Sequence, residues 1–145
     1  TNRIHRVRAF DVYKSPQRDE VARQAPTFLL PSTLLLNGHV VSGNLNNGTP
    51  VVVYRDSSNG TVKAYVNRCR HRGARLVNAP TTTPLSLKGS SALMCPYHAW
   101  TYDVRTGFLK RVPGEKGGFP CLEKSSHNLT PVNCFEQAGG IWVVG

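Results

Sequence analysis

Cys69-Arg70-His71 and Cys95-Pro96-Tyr97-His98 are the two stretches on which the reading of this 145-residue chain turns. Each supplies one thiol and one imidazole, and 23 residues separate His71 from Cys95. Thiolates and imidazoles are the softer metal donors of a protein, so two of each at short spacing point to a metal centre gripped by two loops. A tetrahedral zinc site also accepts two Cys and two His, but Cys-x-His is an unusual first half for one. Zinc would also give no role to Gly73, Pro96, Trp100 or Tyr102. A fold retained after its metal was lost is the remaining rival, and the presence of all four donors weighs against it.

Outward from these loops the pattern is one of strands. Val51-Val52-Val53-Tyr54-Arg55 and residues 61–66 are β-branched and aromatic runs, divided by the turn signal Asp56-Ser57-Ser58-Asn59-Gly60. They read as a hairpin that delivers the chain to Asn67 and the first loop. His39-Val40-Val41 precedes them across the turn Asn46-Asn47-Gly48. Leu93-Met94 enters the second loop, and Thr101-Tyr102-Asp103 leaves it for a hairpin turn toward Phe108-Leu109. Residues 129–135 and Ile141-Trp142-Val143-Val144, joined through Gly139-Gly140, read as a last strand pair. Residues 80–91 carry proline at two places and read as a loop holding one short strand; residues 113–120 read as another loop. Near the N-terminus Ser15-Pro16 opens an expected short helix with acids in its first turn, which Pro26 stops.

A chain of this length is expected to form one domain with a real core, without room for a second large catalytic domain. Its apolar fraction of 39%, with 13 Gly and 10 Pro, suits short strands and turns. No apolar run approaches the roughly 20 residues of a membrane helix. The net charge of +10, from 18 Lys and Arg against 8 Asp and Glu, is partly local. Arg3, Arg6, Arg8, Lys14 and Arg18 crowd the N-terminus, and Arg68, Arg70, Arg72 and Arg75 crowd the first loop. Both clusters suggest a negatively charged partner, although a merely soluble basic surface accounts for them equally well. Cys121 and Cys134 are left over and read as two small buried apolar residues, with a disulfide left open. His5, His39 and His127 read as ordinary surface or core residues. Asn47, Asn59 and Asn128 match glycosylation sequons, a match that Asn-Gly turns such as Asn47-Gly48 and Asn59-Gly60 produce by chance.

The stretches Asn67-Arg68-Cys69-Arg70-His71-Arg72-Gly73-Ala74-Arg75-Leu76 and Cys95-Pro96-Tyr97-His98-Ala99-Trp100-Thr101-Tyr102-Asp103 resemble the cluster loops of Rieske proteins. The resemblance is to the N-terminal domain of the ring-hydroxylating oxygenase alpha subunit rather than to the cytochrome bc type, and it runs from about residue 33 to 145. It implies an all-β Rieske fold, an antiparallel β-sandwich with a two-loop cluster-binding subdomain, in residues 33–145. Residues 1–32 are expected to form a basic arm with a short helix. The implied cofactor is a 2Fe-2S cluster, with Cys69 and Cys95 on one iron, His71 and His98 on the other, and the histidine edge exposed. Respiratory members have a serine donor to cluster sulfur where this chain has Trp100. Its loss disfavours the reduced state, so the expected potential lies toward about −150 mV rather than +300 mV. Tyr102 is retained, and its hydroxyl is expected within reach of a ligand cysteine.

The chain carries no His-x-x-x-x-His pair with a following acid, the mononuclear iron motif of these oxygenases. The expected function is therefore one-electron transfer without a complete oxygenase active site. The alternative is a basic accessory subunit of a large organellar assembly, a respiratory complex or ribosome, in which the cluster mainly holds the fold. Expected partners are a protein redox partner or a larger assembly with an acidic surface; the basic arm also admits nucleic acid. The expected setting is intracellular, with the basicity favouring the mitochondrial matrix side or another organelle.

Overall fold

The computed structural model describes residues 25–114 and 122–145. The helix expected near Ser15, the basic residues from Arg3 to Arg18, and Cys121 lie outside the described residues. Among the described residues ten strands make two antiparallel sheets. They are β1 (Thr27–Pro31), β2 (His39–Asn44), β3 (Pro50–Arg55), β4 (Val62–Val66), β5 (Leu85–Ser86), β6 (Ala92–Met94), β7 (Thr101–Asp103), β8 (Leu109–Arg111), β9 (Pro131–Gln137) and β10 (Gly140–Val144). The larger sheet runs β1-β10-β9-β4-β3-β2-β5 and the smaller one β6-β7-β8. Two short 3-10 turns, Ser32–Leu34 and Lys124–His127, are the helical segments among the described residues.

The central strand β3 explains the layering. Its residues 50–54 are all buried, because successive side chains point to opposite faces and both faces are covered. Val51 and Val53 join Leu30, Val41, Ile141 and Val143 in one core, where the curled ends of the sheet meet. Val52 and Tyr54 face the other way, into a core shared with Cys69, Cys95, Trp100, Tyr102 and Leu109. Burying each such aliphatic side chain contributes about 1.5–3 kcal/mol. The second core lies between the large sheet and the β6-β7-β8 subdomain, so the metal-donor loops are anchored in it.

The expected hairpins form: β3 pairs β4 from Val51↔Val66 to Arg55↔Val62, and β9 pairs β10 from Gln137↔Gly140 to Asn133↔Val144. β5 is the short strand expected in residues 80–91, and it pairs with β2. One boundary differs. Thr27–Pro31, assigned by sequence to the arm ending at residue 32, is β1, an outer strand hydrogen-bonded to β10. Leu30 seals the core there, and Pro31 is tolerated because an edge strand need not donate on its open side.

Arg55 ties this layer together. Its guanidinium meets both Glu136 carboxylate oxygens at 2.8 and 3.0 Å, and it donates to the carbonyls of Leu35, Gly60 and Ser32. The Arg55 pairing pulls Glu136 below the usual carboxylate pKa.

Candidate metal centre

The first donor loop is closed by hydrogen bonds that return to Cys69. The Cys69 N–H donates to Ala74 O at 2.7 Å, and the Gly73 N–H donates to Cys69 O at 2.8 Å. The second loop repeats this pattern: Cys95 N–H donates to Trp100 O at 2.8 Å and Ala99 N–H to Cys95 O at 3.0 Å. Gly73 (φ 78°) and Ala99 (φ 59°) occupy the same left-handed place in the two loops. Glycine suits that conformation, and a Cβ there is strained. The loops are thus the same turn built twice, with His71 two residues after its cysteine and His98 three after its own.

Asn67, almost fully buried, fastens the first loop from behind. Its Oδ1 accepts the N–H groups of Leu76 and Val77 at 3.0 and 3.1 Å, and its Nδ2 donates to Val77 O at 2.7 Å. Sequence reading took Asn67 only as part of the loop motif; a polar residue directly after the strand Val62–Val66 was the available signal.

The four predicted donors fall into two pairs. Cys69 and Cys95 are both buried. The His71 and His98 rings stand edge-on with centroids 4.7 Å apart, His71 half-buried and His98 exposed. Burial pushes the Cys69 thiol up, while the Tyr102 hydroxyl and the His71 N–H pull it the other way by favouring the thiolate. Tyr102 Oη accepts the Arg70 N–H at 2.8 Å and lies 3.4 Å from the Cys69 sulfur, the reach expected of it. Burial lowers the basicity of His71, helped by the charges of His98 and Arg72, and a ligand imidazole must be neutral.

Among the described residues, no three His, Cys, Asp or Glu side chains close around a single point as on one ion. A buried thiol pair beside an imidazole pair that reaches the surface at His98 fits a cluster whose two irons take unlike ligands. Two thiols and two imidazoles in this arrangement suit the group that the sequence implies.

Of the other residues singled out, Cys134 is a free thiol whose Sγ lies 3.5 Å from Val62 O. Asn47 and Asn59 serve their turns, each Oδ1 accepting the N–H two residues on, from Thr49 and Thr61. Asn128 Oδ1 accepts the Leu109 N–H. His39 Nδ1 is paired with the Asn37 carbonyl, away from the donors. Trp100 and His127 do reach the site region: Trp100 stacks on His71, and His127 meets Trp100 edge-on. Among the described residues, no helix is long and apolar enough to cross a membrane.

Comparison with known proteins gives the same picture. Residues 28–136 match the family model described as Rieske [2Fe-2S] domain. The chain is 39% identical over 75 residues to chlorobenzene dioxygenase subunit alpha of Cupriavidus sp. (strain PS12), covering 52% of this chain and 15% of that one. It is 37% identical over 98 residues to oxidoreductase NdmD of Pseudomonas putida, covering 66% of this chain and 14% of that one. The structure of naphthalene 1,2-dioxygenase from Rhodococcus sp. bound to indole superimposes with a TM-score of 0.70 at 30% identity, over 93% of this chain and 28% of that one. The chain thus spans about 15% of the length of these curated relatives. With the family model matched across most of its length, the chain belongs to the Rieske family, of the kind found in ring-hydroxylating oxygenase alpha subunits, and its cofactor is a 2Fe-2S cluster.

Proposed function

We propose that this chain is a one-electron transfer module of an oxygenase system, with Cys69 and Cys95 holding one iron of the cluster and His71 and His98 the other. When bound, the cluster supplies a reversible one-electron couple. The observation that carries the reading is the contrast in exposure: the thiol pair is buried, and the imidazole pair opens outward with His98 at the surface. The electron enters and leaves at the His98 edge. It passes to an oxygenase centre supplied outside this stretch of sequence.

The surface around that edge supports an acidic protein partner. Arg68, Arg72 and Arg75 are exposed on and beside the first loop, and Tyr97 is 72% exposed on the second. Between the loops a cavity of about 430 Å³ is lined by Ala74, Arg75, Leu76, Asn78, Pro96 and Tyr97. Complementary charge at such a rim raises association rates and orients the encounter. The accessory-subunit alternative and the organellar setting gain nothing from relatives named as dioxygenase subunits. The test is the visible and EPR spectrum of the purified protein before and after dithionite, with iron, sulfide and zinc analysis. A Rieske-type signal, lost in Cys95→Ser and His98→Ala, is the expected result; zinc, or no metal, overturns the reading.

A further inference from the structure

The Trp100 indole lies flat against the His71 imidazole, with ring centroids 4.8 Å apart and planes 8° from parallel. This contact crosses between the loops, since His71 belongs to the first and Trp100 closes the second. Trp100 is held on several sides. Its carbonyl accepts the Cys95 N–H, the left-handed Ala99 precedes it, and its side chain is only 2% exposed in the core with Tyr102, Leu109 and Leu129. From the turn Lys124–His127, the His127 ring meets the indole edge-on at 6.0 Å and 74°. A carbonyl can only accept, so His127 Nδ1 carries a hydrogen and donates to Glu123 O at 2.9 Å, which fixes that ring as well.

The torsion that turns an imidazole about its Cβ–Cγ bond is soft and roughly two-fold. A flat aromatic neighbour removes that freedom, because rotation would drive the ring edge into the indole face. Histidine ligands are ordinarily oriented by a hydrogen bond to the ring nitrogen that faces away from the metal. We propose that Trp100 is a positioning residue: stacking on His71 sets the plane of that imidazole at the cluster, and His127 holds the indole in register from its edge. The two imidazoles are then inequivalent, His71 locked and sheltered, His98 open to solvent. This rests on the ligand assignment proposed above.

The test uses the full chain with its cluster, comparing the parent with Trp100→Leu, Trp100→Phe and His127→Ala. The readouts are iron content, the EPR g-values of the reduced protein, and the pulsed-EPR couplings of the histidine nitrogens. Trp100→Leu is expected to keep its iron, shift the g-values and change the coupling of one nitrogen of the two. Trp100→Phe, which restores a flat ring, should return most of the parent pattern, and His127→Ala should move the same nitrogen by less. Parent couplings in Trp100→Leu overturn the proposal. If Trp100→Leu takes up no iron, Trp100→Met, apolar and less cavity-forming, is read in its place by the same criterion. A parent protein without the Rieske-type signal is the separate failure of the ligand assignment, seen before any variant is compared.

Discussion

The Tyr102 hydroxyl stands 3.4 Å from the Cys69 sulfur, across from the loop that carries the cysteine. A cysteine bound to a metal is a thiolate with no proton to give, so in the loaded protein the hydroxyl is the donor of this pair. A hydrogen bond to sulfur favours the more negative, reduced state of a cluster. Tyr102→Phe is therefore expected to lower the reduction potential. If about 1 kcal/mol of the bond is specific to the reduced state, the shift is about 40 mV. Potentiometric titration of both proteins measures it, and an unchanged potential would show that the hydroxyl serves packing alone.

Gly73 and Ala99 share one backbone conformation, and substitutions there should act in opposite directions. A Cβ on Gly73 meets nothing within 4 Å, so Gly73→Ala costs only the left-handed strain, about 1–2 kcal/mol. Ala99→Gly relieves that strain at the expense of a more flexible unfolded chain, leaving a net gain of up to about 1 kcal/mol. Chemical denaturation of the loaded protein reports both.

Gly107 has φ 80° like the loop glycine, but a Cβ there would lie 2.7 Å from the Tyr65 ring. Tyr65 cannot easily retreat. It is buried and donates to Val104 O at 2.9 Å, and burial raises its pKa to about 12. Gly107→Ala combines strain with overpacking and is expected to cost about 2–4 kcal/mol, clearly more than Gly73→Ala. Equal losses at the two sites would mean that the Tyr65 contact is absent in solution.

Acid should weaken the fold through two carboxylates away from the donor loops. The Ser58 hydroxyl and N–H, with Lys63, hold Asp56 near a pKa of about 2 against an ordinary value of 3.8. Glu136 is likewise lowered by Arg55. Both folded pKa values lie below the unfolded ones, so the stabilisation is complete above the unfolded values and is lost as pH falls through the folded ones. Asp56→Asn and Glu136→Gln should each flatten the decline in stability below about pH 4.5. For the partly exposed Glu136 pair, solvent limits the effect to about 1 kcal/mol. Thermal melts of parent and variants between pH 7 and pH 3 give the comparison.

Much of the candidate site was legible in the residue types themselves. Thiols and imidazoles at fixed short spacing announce metal chemistry wherever they fold, and runs such as Val51-Val52-Val53-Tyr54 report strands because β-branched residues fit a pleated sheet. Turn chemistry at Asn47-Gly48 and Asn59-Gly60 fixed the hairpins locally, with each asparagine bonding its own turn. Less was visible where contacts join distant residues. Thr27–Pro31 carries one buried leucine and an edge proline, a weak strand signal until β10 pairs with it. Arg55 and Glu136 lie 81 residues apart, and nothing in either neighbourhood names the other.

What the sequence determined by itself is therefore the candidate donor set, the strand-rich class and the two turns that carry those four residues, because each depends on near neighbours in the chain. Tertiary structure alone decided that His71 is sheltered while His98 is exposed, that Trp100 from one loop covers His71 of the other, and that Asn67 locks the first loop from behind. Those relationships arise from packing two similar turns against a shared core. Packing selects partners by shape and distance in space, quantities that spacing along the chain does not encode.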